Sequence, residues 1–216
     1  MESSDPRNTI LEKIRTALAN KSEQNNVTEA DTKQKIYKTT EENSEVIFAK
    51  AFTGISGKFV FCIDEKELII TLRKLFHDSQ WDSLYCLDKD IQRILVSADI
   101  PFSDGREEFL NLDAGITGCE YLIARPGSVM VSSRQSSGRR LIVYPNTHIV
   151  IAYTSFVVND LDEALQKITK KYKGNLPSMI SLITGPSRTA DIEKTLVMGA
   201  HGPKNLYVFL VNDKKL

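Results

Sequence analysis

The chain has 216 residues, 41% hydrophobic and 26% charged, enough for one α/β-sized core or a core with a small appendage. Lys plus Arg equals Asp plus Glu at 28 each, which excludes a long-range field able to gather nucleic acid or an anionic membrane. Cys62, Cys86 and Cys119 lie far apart and form no CxxC pair, so no zinc site, iron–sulfur cluster or redox disulfide is expected, and buried reduced thiols are.

In chain order, residues 1–20 open with capping residues and a proline suited to a first helical turn. Ile10, Leu11, Ile14 and Leu18 then fall on one face of an amphipathic helix. Residues 21–43 are rich in Asn, Thr, Glu, Lys and Gln and read as a polar linker. The folded domain is expected over 44–216. The polar start at Met1–Thr9 has no basic segment leading into an apolar stretch, and no apolar run approaches the ~18 residues of a spanning helix. A cytoplasmic location without a membrane span is expected.

From Ser44 the pattern alternates: SEVIFAKAFT helix, GKFVFCI strand, DEKELIITLRKLFHD helix, DSLYCL strand, DKDIQRILVSA helix. This argues for βαβ units and a parallel sheet. A loop through Pro101–Asp113 and a turn-rich DAGITGCEYLIA follow. RPGSVMVSS reads as a turn between adjacent strands, with RRLIVYP and THIVIAYT as β-rich runs, so antiparallel pairing is expected within a mixed sheet. NDLDEALQKITKKY is a helix with Leu161, Leu165 and Ile168 on its inner stripe. MISLIT, a helix over about Thr189–Met198, and LYVFLV are expected to form a last βαβ unit.

Several motifs fail. GISGKF lacks the spacing and the final Ser or Thr of a phosphate loop, and no GxGxxG follows a strand, so neither a nucleotide loop nor an NAD site is expected. His77, His148 and His201 form no HExxH-like pair, and neither GPSRT nor PGSVM matches a GxSxG elbow.

Three glycine turns remain: DAGITG, RPGSV and TGPSRTADIE. Glycine permits close backbone approach, and hydroxyls at a turn bind carboxylate or phosphate groups at strand ends. For RPGSV the turn chemistry of Pro126-Gly127 favours a structural role. For the third, a helix N-terminus after Gly185 is expected to face a small carboxylate or phosphate. Thr184, Gly185, Ser187, Arg188 and Thr189 line the pocket and Thr117 and Gly118 form its opposite wall. Asp191 and Glu193 are the proton-transfer candidates, and His201 is a more distant ligand candidate. The run 132–140 is either a solvated hairpin tip or a basic lip over the site.

These residues resemble the LUD-domain family, whose members include the lactate-utilisation protein C group. The likeness rests on ILEKIRTAL, DAGITGCEYLIARPGSVMV, YPNTHIVI and above all ITGPSRTADIEKTLVMGAHGPKNLYVFLV. It implies a Rossmann-like three-layer α/β/α sandwich of the coenzyme A transferase and ribose-phosphate isomerase-like superfamily, with a mixed sheet. It also implies an accessory role in oxidation of L-lactate to pyruvate beside iron–sulfur oxidoreductase partners. No flavin, NAD or iron–sulfur cluster is then expected in this chain. A homo-oligomer, a stand-alone isomerase-like or transferase-like enzyme on an anionic metabolite, and a non-catalytic interaction module stay open. The middle turn, Arg125-Pro126-Gly127-Ser128, departs from the TGS-like pattern of the family, and the transferase glutamate has no matched counterpart.

Overall fold

The computed structural model describes Thr16 and residues 42–82, 84–105, 112–192, 195–199 and 201–214, with backbone alone for 190–192 and 195–197. Apart from Thr16, the expected helix of 1–20 and, up to residue 41, the linker of 21–43 lie outside the described residues. Glu42–Leu216 forms a compact unit.

Helix α1 (Ser44–Gly54) leads into β1 (Lys58–Cys62), α2 (Glu65–Ser79), β2 (Leu84–Cys86), α3 (Lys89–Ser97) and β3 (Ala114–Thr117). Asp64 and Asp88 start α2 and α3 as N-caps. The Asp64 side chain accepts the Glu67 N–H, and that of Asp88 accepts the Asp90 and Ile91 N–H groups. After β3 come β4 (Tyr121–Ile123), β5 (Ser128–Ser132), β6 (Thr147–Tyr153), β7 (Val157–Val158), α4 (Leu161–Lys171), β8 (Ile180–Ile183), β9 (Arg188–Ile192), β10 (Thr195–Met198) and β11 (Asn205–Val211).

A five-stranded sheet runs in the order β1-β11-β6-β3-β2 and is parallel throughout. The antiparallel pairing expected in its middle lies instead in a second, four-stranded sheet, β7-β4-β5-β8, where only β4 and β7 are parallel. One face of the parallel sheet (Ile116, Ile149, Ile151, Phe209) packs on Leu68 and Leu72 of α2 and on Ile91, Ile94 and Leu95 of α3. Its other face (Val150, Ala152, Val208, Leu210) packs on Phe48 and Phe52 of α1 and on Leu122, Val129 and Val131 of the second sheet. Because side chains alternate along a strand, Ile123 and Met130 point the other way, onto Ala164 and Ile168 of α4. The α/β class and mixed pairing are present, but the expected three layers become four: helices, parallel sheet, mixed sheet, helix.

Four local expectations are corrected. DAGITGCEYLIA is not only turn but carries β3 and β4. RRLIVYP forms no strand: the N–H groups of Val143 and Tyr144 both bond the Arg140 carbonyl, and Leu141 and Pro145 press onto Gly115, where a Cβ would lie 2.8 and 2.6 Å from them. The inner stripe of α4 is Ala164 and Ile168, while Leu161 and Leu165 are exposed. Finally, 189–198 is a β-hairpin of β9 and β10, not a helix, and β8 and β11 belong to different sheets, so no last βαβ unit exists. The physical reason lies at the hairpin's base. Ser187 N–H donates to Pro203 O and Gly199 N–H to Ser187 O, which brings 187 and 199 together, whereas a ten-residue helix between them would hold its ends about 15 Å apart.

Candidate functional site

The two halves of the sequence-expected pocket lie at different levels of the parallel sheet. Ser187 is tied to Pro203, and Lys204 and Asn205 donate to Asn146 O, so the 184–204 segment sits where β6 and β11 begin. Thr117 pairs with Val150, three residues further along β6 than Thr147, or about 10 Å at strand rise, with Gly118 beyond it. Thr117 and Gly118 therefore form no opposite wall to Ser187–Thr189.

The 184–188 turn makes contacts within the fold. Thr184 Oγ1 bonds Ser128 Oγ at 2.8 Å. Gly185 is buried with φ +88°, and a Cβ there would stand 2.8 Å from the Ile55 carbonyl oxygen. Arg188 Nη2 donates to that same carbonyl, at the C-terminal end of α1. The guanidinium meets the negative end of a helix, the reverse of the helix start on which the anion argument rested. Thr189 pairs with Val197 across the hairpin, and Asp191 belongs to the same strand. Glu193 lies outside the described residues, and His201 is exposed.

The C-terminal end of β3 is arranged differently. β3 is reached from β2 through α3 on one face and leaves into the second sheet on the other, a change of side of the kind at which open α/β sheets bind ligands. Gly118, half-buried there, has no left-handed φ, and among the described residues a Cβ on it would meet nothing closer than Asp88 Oδ2 and Gln135 Nε2, each at 3.9 Å. Both groups are oriented from behind. Asp88 uses Oδ1 to cap α3, and Gln135 uses Oε1 to accept the Ser132 N–H at 2.9 Å. Their remaining polar atoms flank the glycine. Gln135 was missed in the sequence because only the 132–140 turn brings it to this strand end.

Two buried polar groups support this corner. Thr117 Oγ1 donates to Gly118 O at 2.9 Å, so its contact with His148 Nε2, also 2.9 Å, makes the imidazole the donor. His148 is fully buried and its Nδ1 has no partner; burial pushes its pKa down to about 4, so the ring is neutral. Glu120 accepts from Ser132 Oγ at 2.5 Å, Lys171 Nζ at 2.7 Å and Tyr172 Oη at 2.8 Å. Burial pushes its carboxyl up, but the hydrogen bonds from Lys171, Ser132 and Tyr172 outweigh this and hold it below the usual carboxylate range. This pair fastens the end of α4 to the strand that follows Gly118.

All three cysteines are buried, as expected. Burial pushes the thiols of Cys62 up to about 11 and of Cys86 up to about 12, and raises that of Cys119 beside Gly118, so none is poised as a thiolate. Among the described residues no group of three His, Cys, Asp or Glu is placed to hold a metal ion, and no helix is long and apolar enough to cross a membrane.

Charge is segregated in a way the zero net charge conceals. Burial raises the Tyr153 phenol, and Glu65, Asp90, Asp213 and Asp88 raise it further, which marks an acidic rim along the α2–α3 side. Residues 121–159 contain no Asp or Glu, nor do 164–190, yet they carry Arg134, Arg139, Lys170 and Lys173. Arg134 Nη2 and Arg139 Nη2 reach Asn175 O and Ser178 Oγ, which groups these cations beside the end of α4. Asp88 and Gln135 stand on either side of this boundary.

Fold and site define an α/β protein with a parallel sheet backed by a mixed sheet and a polar corner at the end of a central strand. The LUD domain family profile spans residues 11–211, and the chain belongs to that family. Over 137 residues it is 34% identical to lactate utilization protein C of Shouchella clausii, covering 63% of this chain and 53% of that protein. It is 38% identical to the Bacillus subtilis protein of the same name over 104 residues, 47% of this chain and 43% of the relative. An uncharacterized protein of Neisseria meningitidis is 38% identical over 105 residues, 49% of this chain and 45% of that one. The chain thus matches about half the length of these curated relatives. A solved DUF162 family protein from Deinococcus radiodurans, 20% identical, shares the fold with a TM-score of 0.56 over 79% of this chain and 99% of its own.

Proposed function

We propose that this chain serves in L-lactate utilisation as an accessory subunit that binds a small carboxylate at the end of β3. The observation that carries the site is Gly118: nothing among the described residues demands glycine there, so its missing side chain serves the approach of something else. The relatives named lactate utilization protein C supply the process. The family resemblance adds partner proteins that carry the redox centres, with this chain holding and presenting the carboxylate.

The test is a deletion strain returned to growth on L-lactate by a plasmid copy. The wild-type copy restores growth. Gly118→Val, which fills the approach, does not. Normal growth of the deletion strain on L-lactate, or full rescue by a stably expressed Gly118→Val, overturns the proposal.

A further inference from the structure

Asp88 Oδ2 and Gln135 Nε2 are each 3.9 Å from one point above Gly118, so they are no more than 7.8 Å apart. Two adjacent ligand oxygens, bridging the pair by hydrogen bonds of about 2.8 Å each, are compatible with that bound. The two flanking atoms differ in kind. An ionised Asp accepts only, and the Gln amide nitrogen donates only. Since Oε1 is held by Ser132 N–H and Oδ1 by the first turn of α3, neither group can exchange its role by rotation without losing those bonds.

We infer that this pair selects a 2-hydroxy acid over the corresponding 2-oxo acid, with the hydroxyl donating to Asp88 Oδ2 and the carboxylate accepting from Gln135 Nε2. The inference rests on the reading of Gly118 as a carboxylate site and adds the ligand's oxidation state. A hydroxyl carries the proton that Asp88 requires. A ketone oxygen carries only lone pairs and faces the carboxylate with like charge. The orientation also follows the charge boundary: the ligand carboxylate lies on the acid-free side with Arg134, and its uncharged end lies toward the acidic rim. In a lactate-consuming system, such a site holds the substrate and releases the oxidised product.

The experiment is a chemical-shift titration of the full chain with L-lactate and with pyruvate, followed at the backbone amide of residue 118, for wild type, Asp88→Asn and Gly118→Val. Wild type is expected to bind L-lactate at least about tenfold more tightly than pyruvate, the worth of one hydrogen bond to a charged group. Asn caps a helix as well as Asp, so Asp88→Asn keeps α3 while replacing Oδ2 with an amide donor, and the ratio is expected to fall to about one or to invert. Equal binding of both acids by wild type, or an unchanged ratio in Asp88→Asn, overturns the selection. A Gly118 amide that neither acid shifts, or unchanged binding by Gly118→Val, overturns instead the carboxylate site beneath it.

Discussion

Gly118 and Gly185 both end a strand segment, both precede hydroxyl-bearing or charged residues, and both read in the sequence as ligand turns. The structure separates them. Gly185 needs its left-handed φ and its bare Cα because the Ile55 carbonyl stands where a Cβ would be. Gly118 has neither constraint, and oriented polar atoms wait on both sides of it. A glycine with an internal reason closes a connection, and one without such a reason leaves room for a visitor.

The comparison breaks most visibly under alanine. Gly185→Ala is expected to destabilise the domain by about 4 kcal/mol, combining left-handed strain with a backbone overlap, and to lower the melting temperature by roughly 10 °C. A calorimetric scan showing no loss would mean that the turn tolerates a side chain and that its glycine has another purpose.

The support behind Gly118 gives the next largest effect. Glu120→Ala leaves Lys171, Ser132 and Tyr172 without their shared acceptor and is expected to cost about 3 kcal/mol in urea unfolding. Glu120→Gln retains acceptors for the two hydroxyls and loses less. Equal losses for the two variants would assign the whole effect to charge.

His148 supplies a pH dependence of similar size. Its folded pKa of about 4 lies below the ordinary 6.5, so between these values the unfolded chain binds more protons. Stability is therefore expected to fall by about 3 kcal/mol as pH drops from about 6.5 to about 4, with no further loss from this residue below that. In His148→Gln the slope over that window should vanish. Glu120, whose carboxyl is held low, loses its contribution only as pH falls below its ordinary value of 4.5, which separates the two titrations.

The smallest effect is the one that sharpens the contrast. Gly118→Ala should change stability by less than about 0.5 kcal/mol, since its Cβ meets only ordinary contacts. Should it match Gly185→Ala in a thermal scan, both glycines are structural and the argument for a site at β3 falls.

Legible in the sequence were the alternation of α1 to α3, the strands of β6 and β11, the burial of the cysteines and the family. Each depends on local periodicity, residue type or a long specific match. It also placed Thr117 and Gly118 at a strand end. The rest came from contacts between residues far apart in the chain. TADIEKTLVM mixes good helix formers with β-branched residues, and the distant bonds from Ser187 to Pro203 and Gly199 settled it as a hairpin. Leu141 looks like a strand residue, but it covers Gly115 from a turn, together with Pro145. Which strands share a sheet is set by pairing between residues far apart in the chain, and so is the meeting of Asp88 with Gln135 over Gly118. No local pattern encodes that juxtaposition, because it arises only when a helix cap of one layer and a turn of another close on the same strand end.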